Sequence, residues 1–329
     1  MLVDNFGRIH DYLRISLTDR CNYQCLYCLP EPEFNHGCST VASDRMTAQE
    51  IVEIATKFVS LGVNKIRLTG GEPLIRKDAG DIMLALGRLP VKLTLTTNGS
   101  RLDHFIDIMH EAGVKSVNVS LDSLRKENFH RLTLRDDFEK VKSNIDLLLT
   151  KGFDVKVNMV VMNGYNDHEV VDFASWTVAK PVHIRYIEFM PFPGNRWRPE
   201  KLINLQQIVD MIELAFGSLE KLEDGPHDTT RKFRIPGSKG TIAIISTMSA
   251  PFCDGCNRLR LTADGKMRNC LFSKTETDLL NAFRNGHDIE ALIKDCLAGK
   301  HRQLGGNSGT EWGLQETEEQ RRTMMGIGG

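Results

Sequence analysis

The sequence lacks a long apolar run, an excess of charge of either sign and an apolar stretch near its first residues. A membrane-spanning helix needs about 20 consecutive apolar residues, and no run in this chain approaches that length. The first residues, MLVDNFGRIHDYLR, do not contain the apolar segment of a secretory signal. These absences predict a cytoplasmic protein that does not act at a membrane.

The charges of the chain nearly cancel. Its 42 Lys and Arg residues face 43 Asp and Glu residues, so the formal net charge is −1. Global charge therefore gives no reason to expect binding to nucleic acid, and any anionic ligand must be held by a local group of basic side chains. The 329 residues, 41% of them hydrophobic, indicate a globular chain of one large domain or two.

Short β-rich runs alternate with amphipathic segments up to about residue 215. The predicted strands are Tyr12–Thr18, Lys65–Thr69, Lys92–Thr97, Ser116–Asp122, Asp154–Val161 and Val182–Glu188. The predicted helices are Thr47–Leu61, Leu102–Ala112, Phe138–Thr150, His168–Val178 and Leu205–Phe216, and a further strand covers Lys239–Thr247. This alternation predicts six parallel βα units, and six units favour a partial (βα)6 barrel of the TIM type over a complete eight-unit barrel.

Polar residues occupy every second position of these strands, as Arg14, Arg67, Thr96 and Lys156 illustrate. Successive strand residues point to opposite faces, so helices that cover the apolar face leave the polar face lining the inside of the sheet. A packed barrel core would carry branched apolar residues instead. The pattern predicts a lumen that holds a polar ligand. An antiparallel sheet with one solvated face is the alternative, although the intervening helices argue against it.

Eight cysteines are present, and six of them form two groups. The first group, Cys21, Cys25 and Cys28, follows the first predicted strand. Three cysteines can hold a 4Fe–4S cluster with one iron left open. A zinc site completed by His36 or Cys38 is the alternative.

The segment TGGEP, residues 69–73, follows the second predicted strand, and its glycines let the backbone approach a ligand closely. A Gly-Gly pair found alone would more often mark only a turn. Its position one strand after the cysteine group favours a functional interpretation.

The second group consists of Cys253, Cys256 and Cys270. Spacing alone leaves open a structural zinc or a closed cluster with a fourth ligand from His227 or Cys296. Arg258 and Arg260 come directly after the first two of these cysteines and lie on one face of an extended segment. Their planar guanidiniums suit a phosphate or carboxylate, which favours an anionic ligand beside this group.

The first cysteine motif, with Tyr27 before its last cysteine, and the GGEP segment resemble the radical S-adenosylmethionine superfamily. The resemblance implies a partial barrel with a 4Fe–4S cluster on Cys21, Cys25 and Cys28 and an open iron that binds S-adenosylmethionine. Reductive cleavage then gives a 5′-deoxyadenosyl radical that takes hydrogen from a substrate, while the protein orients the reactants.

The whole chain resembles one family more closely, the GTP 3′,8-cyclases of molybdenum cofactor biosynthesis. The matching segments are DRCNYQCLYC, IRLTGGEPL, LTTNG, VNVSLD, VKVN, IRYIEFMP, PFCDGCNRLRLTADGKMRNCLF and a terminal Gly-Gly. The resemblance implies a barrel over residues 1–215 and a C-terminal region over residues 216–329 that closes it. This region would carry a second 4Fe–4S cluster on the second cysteine group, whose open iron binds the guanine edge of GTP.

The resemblance also implies roles for single residues. The expected GTP contacts are Arg14, Lys65, Arg67, Thr96, Lys156, Arg185, Arg258, Arg260, Gly328 and Gly329. The expected S-adenosylmethionine contacts are Tyr27, Gly71, Glu72, Ser120 and Met190. The first cysteine group, with Arg14, Arg258 and Arg260, would form the catalytic set. Strict alternation puts Arg185 and Met190 on opposite faces, so one of them is expected beyond the regular strand.

The implied reaction converts GTP to 3′,8-cyclo-7,8-dihydro-GTP, with a flavodoxin- or ferredoxin-type electron donor and cyclic pyranopterin synthase as the next enzyme. The resemblance also implies a homodimer. Two other functions stay open, a peptide-modifying radical enzyme with an auxiliary cluster and an electron-transfer iron–sulfur protein. Cys38 and Cys296 are expected to be ordinary thiols, and the tail after Cys296 has no predicted fold.

Overall fold

The computed structural model describes residues 1–28, 45–307 and 322–328. Six strands and their crossover helices occupy the first two thirds of the chain. Strands β1 to β6 are Tyr12–Ser16, Lys65–Thr69, Lys92–Thr97, Ser116–Ser120, Asp154–Val161 and His183–Glu188. Strands β7 to β12 are Glu220–Lys221, Arg231–Arg234, Thr241–Ile245, Arg258–Leu261, Lys266–Arg268 and Thr277–Asp278.

Ten α-helices are found within the described residues. Helices α1 to α5 are Ala48–Ser60, Ala79–Gly87, Ile106–Glu111, Lys126–Thr133 and Phe138–Thr150. Helices α6 to α10 are Val170–Ala179, Leu205–Phe216, Leu279–Arg284, Ile289–Ala298 and Met324–Ile327. No helix in the described part of the chain combines the length and the apolar composition that crossing a membrane requires.

The described strands form one sheet in the order β12-β11-β10-β1-β2-β3-β4-β5-β6-β9-β8-β7. Strands β1 to β6 are all parallel to their neighbours, so the antiparallel alternative considered for the sequence is wrong. Strand β10 adds to the open side of β1 and β9 adds to β6, both in parallel. The C-terminal third of the chain therefore extends the sheet at both ends.

The sequence located most elements correctly. Strands β2, β3 and β5 and helices α5 and α7 have the predicted bounds. Strand β4 ends two residues early, because the Asp122 carboxylate accepts the amide of Val160 at 2.8 Å and turns the chain there. Helix α1 begins after Thr47, whose hydroxyl and Glu50 form a reciprocal capping box.

The apolar face of each strand packs under the helices. Leu13 and Ile15 of β1 are completely buried, in the same core as Ile51, Ile54 and Phe58 of α1. Burial of a side chain of this size contributes about 2 kcal/mol, so the helix layer fixes which strand face points outward. The other face is left to line the inside of the sheet.

Glu169 links two of the segments that connect successive strands. Its fully buried carboxylate accepts hydrogen bonds from the amide of Leu124 at 2.6 Å, from Asn128 Nδ2 at 2.6 Å and from Ser123 Oγ at 2.8 Å. The loop after β4 is thereby held against the start of α6. A buried carboxylate is tolerated here because polar donors surround it.

We expect Glu169→Ala to lower the free energy of unfolding by about 3 kcal/mol, because one buried and two half-buried donors lose their acceptor. The control is Asp172→Ala in the first turn of α6, which removes only the exposed contact to Arg125 at 3.3 Å and should change stability by less than about 0.5 kcal/mol. Urea unfolding followed by circular dichroism measures both. Equal losses in the two variants would contradict the assignment of this connection to Glu169.

Candidate active site between two cysteine groups

A cavity of about 760 Å³ occupies the inside of the sheet. This volume lies in the range of sites for small molecules and cofactors. The wall consists of the polar strand faces predicted from the sequence, and all six grouped cysteines line it. The cysteines on the wall are Cys21, Cys25, Cys28, Cys253, Cys256 and Cys270.

The two cysteine groups lie at opposite ends of the same strands. Cys21 follows the last residue of β1, whereas Cys256 precedes Arg258, which pairs with Tyr12 at the first residue of β1. Four strand steps separate these ends, which corresponds to roughly 13 Å along the sheet. A ligand inside the cavity can therefore reach toward both groups.

The cysteines of the first group are half-buried and are not joined by disulfides. Burial raises the pKa of Cys21 to about 11 and raises the pKa of Cys25 well above its usual value. The amide of Tyr23 lies 3.3 Å from Cys21 Sγ, and the amide of Cys28 donates to the Cys25 carbonyl at 2.9 Å. Deprotonation of these buried thiols needs a compensating positive charge, which iron ions would supply.

The GGEP segment packs directly on the first cysteine loop. A Cβ added at Gly71 would lie 2.2 Å from the Arg20 carbonyl oxygen, so only glycine fits there. The amide of Gly71 donates to Thr18 O at 2.7 Å, and that of Glu72 donates to Arg20 O at 2.8 Å. These bonds continue the β1–β2 pairing past the strands and hold Gly71 on the cavity wall.

Glu72 lies behind this wall and is not one of its lining residues. Its buried carboxylate accepts hydrogen bonds from the amides of Asn98 at 2.6 Å and Leu74 at 3.0 Å and from Thr97 Oγ1 at 2.8 Å. Burial raises its pKa to about 7. Its contacts in the structure are therefore to the protein, and they shape the loop that carries Gly71.

The second group lies on a short turn and a hairpin end. Burial disfavours the thiolate of Cys256, but the guanidinium of Arg258 outweighs this effect and lowers the pKa of Cys256 to about 7. Arg258 Nη2 lies 3.9 Å from Cys256 Sγ. On the other side, Arg8 Nη1 donates to the Cys253 carbonyl at 2.8 Å. The thiolate that a metal ligand requires is therefore favoured at Cys256, whereas burial raises the pKa of Cys253.

The possible fourth ligands of this group behave differently. His227 lines the cavity, with Nδ1 3.1 Å from the Gly255 carbonyl. Cys296 is not on the cavity wall, and its thiol faces the Met267 carbonyl at 3.9 Å. In the described residues, no three His, Cys, Asp or Glu side chains are close enough to bind one metal ion.

Cationic side chains cover the wall between the two cysteine groups. Arg14 lies between Arg67 and Arg260 in the strand register, and Lys65 and Arg258 flank Tyr12 one step away. Arg185 and Lys156 complete the set on β6 and β5. We call these seven residues the cation wall: Arg14, Lys65, Arg67, Lys156, Arg185, Arg258 and Arg260.

Burial and mutual repulsion lower the pKa values of several cation-wall residues. Burial and the neighbouring guanidiniums lower the pKa of Arg14 and of Arg185 to about 10 and lower the pKa of Arg260 well below its usual value. Burial also lowers the pKa of Lys65. With pKa values of about 10, Arg14 and Arg185 keep their charge at neutral pH, so a polyanion bound beside them gains attraction in a partly desolvated site.

Tyr12 contacts several side chains of the cation wall. Its hydroxyl accepts a hydrogen bond from Arg67 Nε at 2.5 Å, and Lys65 Nζ lies 4.2 Å from its ring centre. Although burial favours the neutral phenol, Arg67, Arg14 and Lys65 lower the pKa of Tyr12 to about 7. Sequence reasoning missed this residue, although its parity with Arg14 on β1 placed it on the same face.

The remaining predicted residues are also on the cavity wall. Tyr27, Ser120 and Met190 line it near the first cysteine group, and Thr96 accepts a hydrogen bond from Arg67 Nη1 at 3.2 Å. Met190 follows the end of β6, so the predicted exception to strict alternation is confirmed. Tyr27 donates to Asp122 Oδ2 at 2.8 Å.

The C-terminal segment reaches the cation wall. Arg260 Nη1 donates to the Gly328 carbonyl at 3.0 Å. Gly328 has φ 76°, and a Cβ there would lie 3.0 Å from Ser16 Cβ and Thr69 Cγ2. Three residues named above lie outside the described residues, namely His36, Cys38 and Gly329.

Two family models match the chain. The model of the radical SAM superfamily matches residues 15–177, and the model described as Molybdenum Cofactor Synthesis C matches residues 182–305. The crystal structure of Streptococcus suis SuiB bound to S-adenosylmethionine has a TM-score of 0.62 at 15% identity. It covers 97% of this chain and 77% of SuiB. At this identity the likeness shows the shared α/β fold alone.

Curated relatives are much closer in sequence. The mitochondrial GTP 3′,8-cyclase of Arabidopsis thaliana is 43% identical over 333 residues, covering all of this chain and 84% of the relative. The GTP 3′,8-cyclase of Peptoclostridium acidaminophilum is 38% identical, covering all of this chain and 98% of the relative. The human molybdenum cofactor biosynthesis protein 1 is 42% identical, and the chain spans about half its length, 48%. The chain therefore belongs to the GTP 3′,8-cyclase family of the radical S-adenosylmethionine superfamily.

Proposed function

We propose that the chain is a GTP 3′,8-cyclase that converts GTP to 3′,8-cyclo-7,8-dihydro-GTP in molybdenum cofactor biosynthesis. One observation carries the proposal, namely that the two cysteine groups and the cation wall between them line a single cavity. An electron-transfer protein would not need a buried set of cations. A peptide modifier would have no use for Arg258 and Arg260 beside the second group.

Each cysteine group would hold one 4Fe–4S cluster. Three thiols leave one iron open in each cluster, and the donor chemistry of both groups fits this arrangement. When bound, the first cluster and S-adenosylmethionine supply a 5′-deoxyadenosyl radical. The residues around Cys21 hold that cofactor, with Gly71, Tyr27, Ser120 and Met190 as its contacts.

GTP would lie along the cavity, with its triphosphate on the cation wall and its guanine toward Cys256. The contacts for the triphosphate are the cation-wall residues, with Thr96 as a neutral donor. Arg presents a planar pair of donors that suits phosphate oxygens. Burial and repulsion by neighbouring guanidiniums lower the pKa values of Arg14, Arg185 and Arg260. A bound polyanion would relieve the repulsion, which supports this orientation.

The reaction joins ribose C3′ to C8 of guanine, so the nucleotide must be held with these atoms in contact. Fixing the triphosphate on the cation wall and the base at the second cysteine group achieves this by restraining both ends of one molecule. The walls of the cavity also shield part of a reactive substrate from solvent. Among the described residues, no donor reaches two buried acceptors on its wall, Asn118 Oδ1 and Asn158 Oδ1, so a ligand could supply their hydrogen bonds.

We propose that the inward-facing sheet is the partial barrel of the superfamily over residues 1–215 and that residues 216–329 close it. The parallel addition of β9 and β10 to the ends of the six-stranded core supports this division. We further propose a cytoplasmic homodimer that takes electrons from a flavodoxin- or ferredoxin-type donor and delivers its product to cyclic pyranopterin synthase.

The direct test is anaerobic incubation of the reconstituted protein with S-adenosylmethionine, a reductant and GTP. A GTP 3′,8-cyclase forms 5′-deoxyadenosine in a GTP-dependent manner together with the cyclised nucleotide, both measured by liquid chromatography and mass spectrometry. An electron-transfer protein forms no 5′-deoxyadenosine. A peptide modifier forms none that depends on GTP.

We expect the double variant Arg258→Ala, Arg260→Ala to bind GTP more weakly by about 3 kcal/mol, roughly 100-fold, because a bound anion loses two charged donors. Uncoupled cleavage of S-adenosylmethionine should persist. Isothermal titration calorimetry with GTP measures the affinity. The control variant, Arg231→Ala with Arg234→Ala on β8, removes two arginines that do not line the cavity and should leave it unchanged. Unchanged GTP affinity in the first variant counts against the orientation.

We expect Tyr12 to titrate near pH 7 in the free enzyme and at higher pH once GTP offsets the charge of Arg67 and Lys65. The pKa in the unfolded chain is about 10. Because the folded value is lower, Tyr12 contributes stability that is complete above pH 10 and is lost as pH falls through about 7. Ultraviolet difference spectra of the cluster-free protein measure the phenolate, with Tyr12→Phe as the control. A step near pH 7 that persists in Tyr12→Phe, or that GTP does not move, contradicts this account.

A further inference from the structure

We propose that Arg322 is a positioning residue that anchors the C-terminal segment so that the Gly328 carbonyl lies at Arg260. The inference deepens the proposed function, since Arg260 belongs to the proposed GTP site. The anchor lies six residues before Gly328, outside the residues that line the cavity.

Arg322 binds two carboxylates at once. Its Nη1 and Nη2 donate to the two oxygens of Asp264 at 2.9 and 2.6 Å. Its Nε and Nη2 donate to the two oxygens of Glu276 at 2.7 and 2.8 Å. The side chains of Arg322, Asp264 and Glu276 are 22%, 9% and 19% exposed. A double bidentate pair at this burial holds its geometry better than an exposed pair.

Both acceptors are fixed to the hairpin that carries Arg260. Asp264 lies in the turn between β10 and β11, where it accepts from Thr262 Oγ1 at 2.7 Å. Glu276 also accepts from Arg268 Nη1 of β11 at 2.5 Å. Strand β10 of the same hairpin contains Arg260, which pairs with Arg268. The anchor and the receiving guanidinium are therefore parts of one rigid unit.

The segment between the two contacts is short and well packed. Helix α10 covers Met324–Ile327, and Met325 and Ile327 are buried, with exposed fractions of 8% and 2%. A four-residue helix has little stability of its own, so its position depends on contacts at its ends. Arg322 supplies the contact at the start, and Arg260 supplies the contact at Gly328.

Removing Arg322 leaves Asp264 and Glu276 partly buried with fewer cations. The start of α10 then loses its ionic partners, and the Gly328 carbonyl is no longer held at Arg260. We expect Arg322→Ala to lower kcat for GTP conversion by about 10-fold or more, with the iron content and the KM for S-adenosylmethionine unchanged. Arg322→Lys retains one charged donor and should recover part of the rate.

The experiment compares hydrogen exchange and turnover in the reconstituted enzyme. Mass spectrometry follows the amides of residues 323–328 in the wild type, in Arg322→Ala and in Asp264→Asn, which breaks the same contact from the other side. The control is Arg284→Ala, which removes a bidentate pair with Glu50 at 2.7 and 3.1 Å, away from the C-terminal segment. Only the two anchor variants should exchange faster, and their double variant should be no worse than either one alone.

Faster exchange with slower turnover in both anchor variants supports the proposal. Faster exchange with wild-type turnover overturns the positioning role, and unchanged exchange overturns the anchor itself. Because exchange is measured without GTP, it decides the anchor even where the wild type forms no product. A wild type that forms no product would reject the proposed function and would leave the result on the anchor unaffected.

Discussion

Repulsion among buried cations is the constraint around which this structure is arranged. Arg14, Arg67 and Arg260 stand side by side on neighbouring strands of the cavity wall, and burial adds to the cost of their charges. Neutral groups are among their partners in the described chain, since Arg67 donates to the Tyr12 hydroxyl and Arg260 donates to the Gly328 carbonyl. A polyanionic ligand would offset this cost, which is why we propose a nucleoside triphosphate rather than a neutral substrate as the ligand of the cavity.

The parallel sheet makes this arrangement possible because its strands place polar side chains on one face and apolar side chains on the other. Helices cover the apolar face, and the polar face gathers residues distant in sequence, so that Arg14 and Arg260 become direct neighbours. The same strands separate the cysteine groups, because Cys21 follows β1 and Cys256 precedes β10. The same strands therefore place the cationic side chains between the two cysteine groups and set the distance between these groups.

Local sequence patterns predicted the parallel βα units, the inward polar face and the cysteine groups, because each depends on residues close in the chain. The long-range pairings were not accessible in this way. The pairing of β10 with β1 joins segments about 240 residues apart, and no local pattern specifies that Arg260 neighbours Arg14. Tyr12 was overlooked because an aromatic residue at a strand start usually indicates packing. Glu72 was assigned to a cofactor by its motif, while its carboxylate is engaged by backbone amides that only the fold brings to it.

The most direct measurement titrates GTP, tripolyphosphate and guanosine into the reconstituted enzyme by calorimetry at low and high salt. If the cation wall governs binding, GTP and tripolyphosphate bind with affinities that fall as salt rises, and guanosine binds far more weakly than GTP. Guanosine binding as tightly as GTP, with affinities that salt leaves unchanged, would contradict the account, since the charges of Arg14, Arg67 and Arg260 would then contribute nothing to recognition.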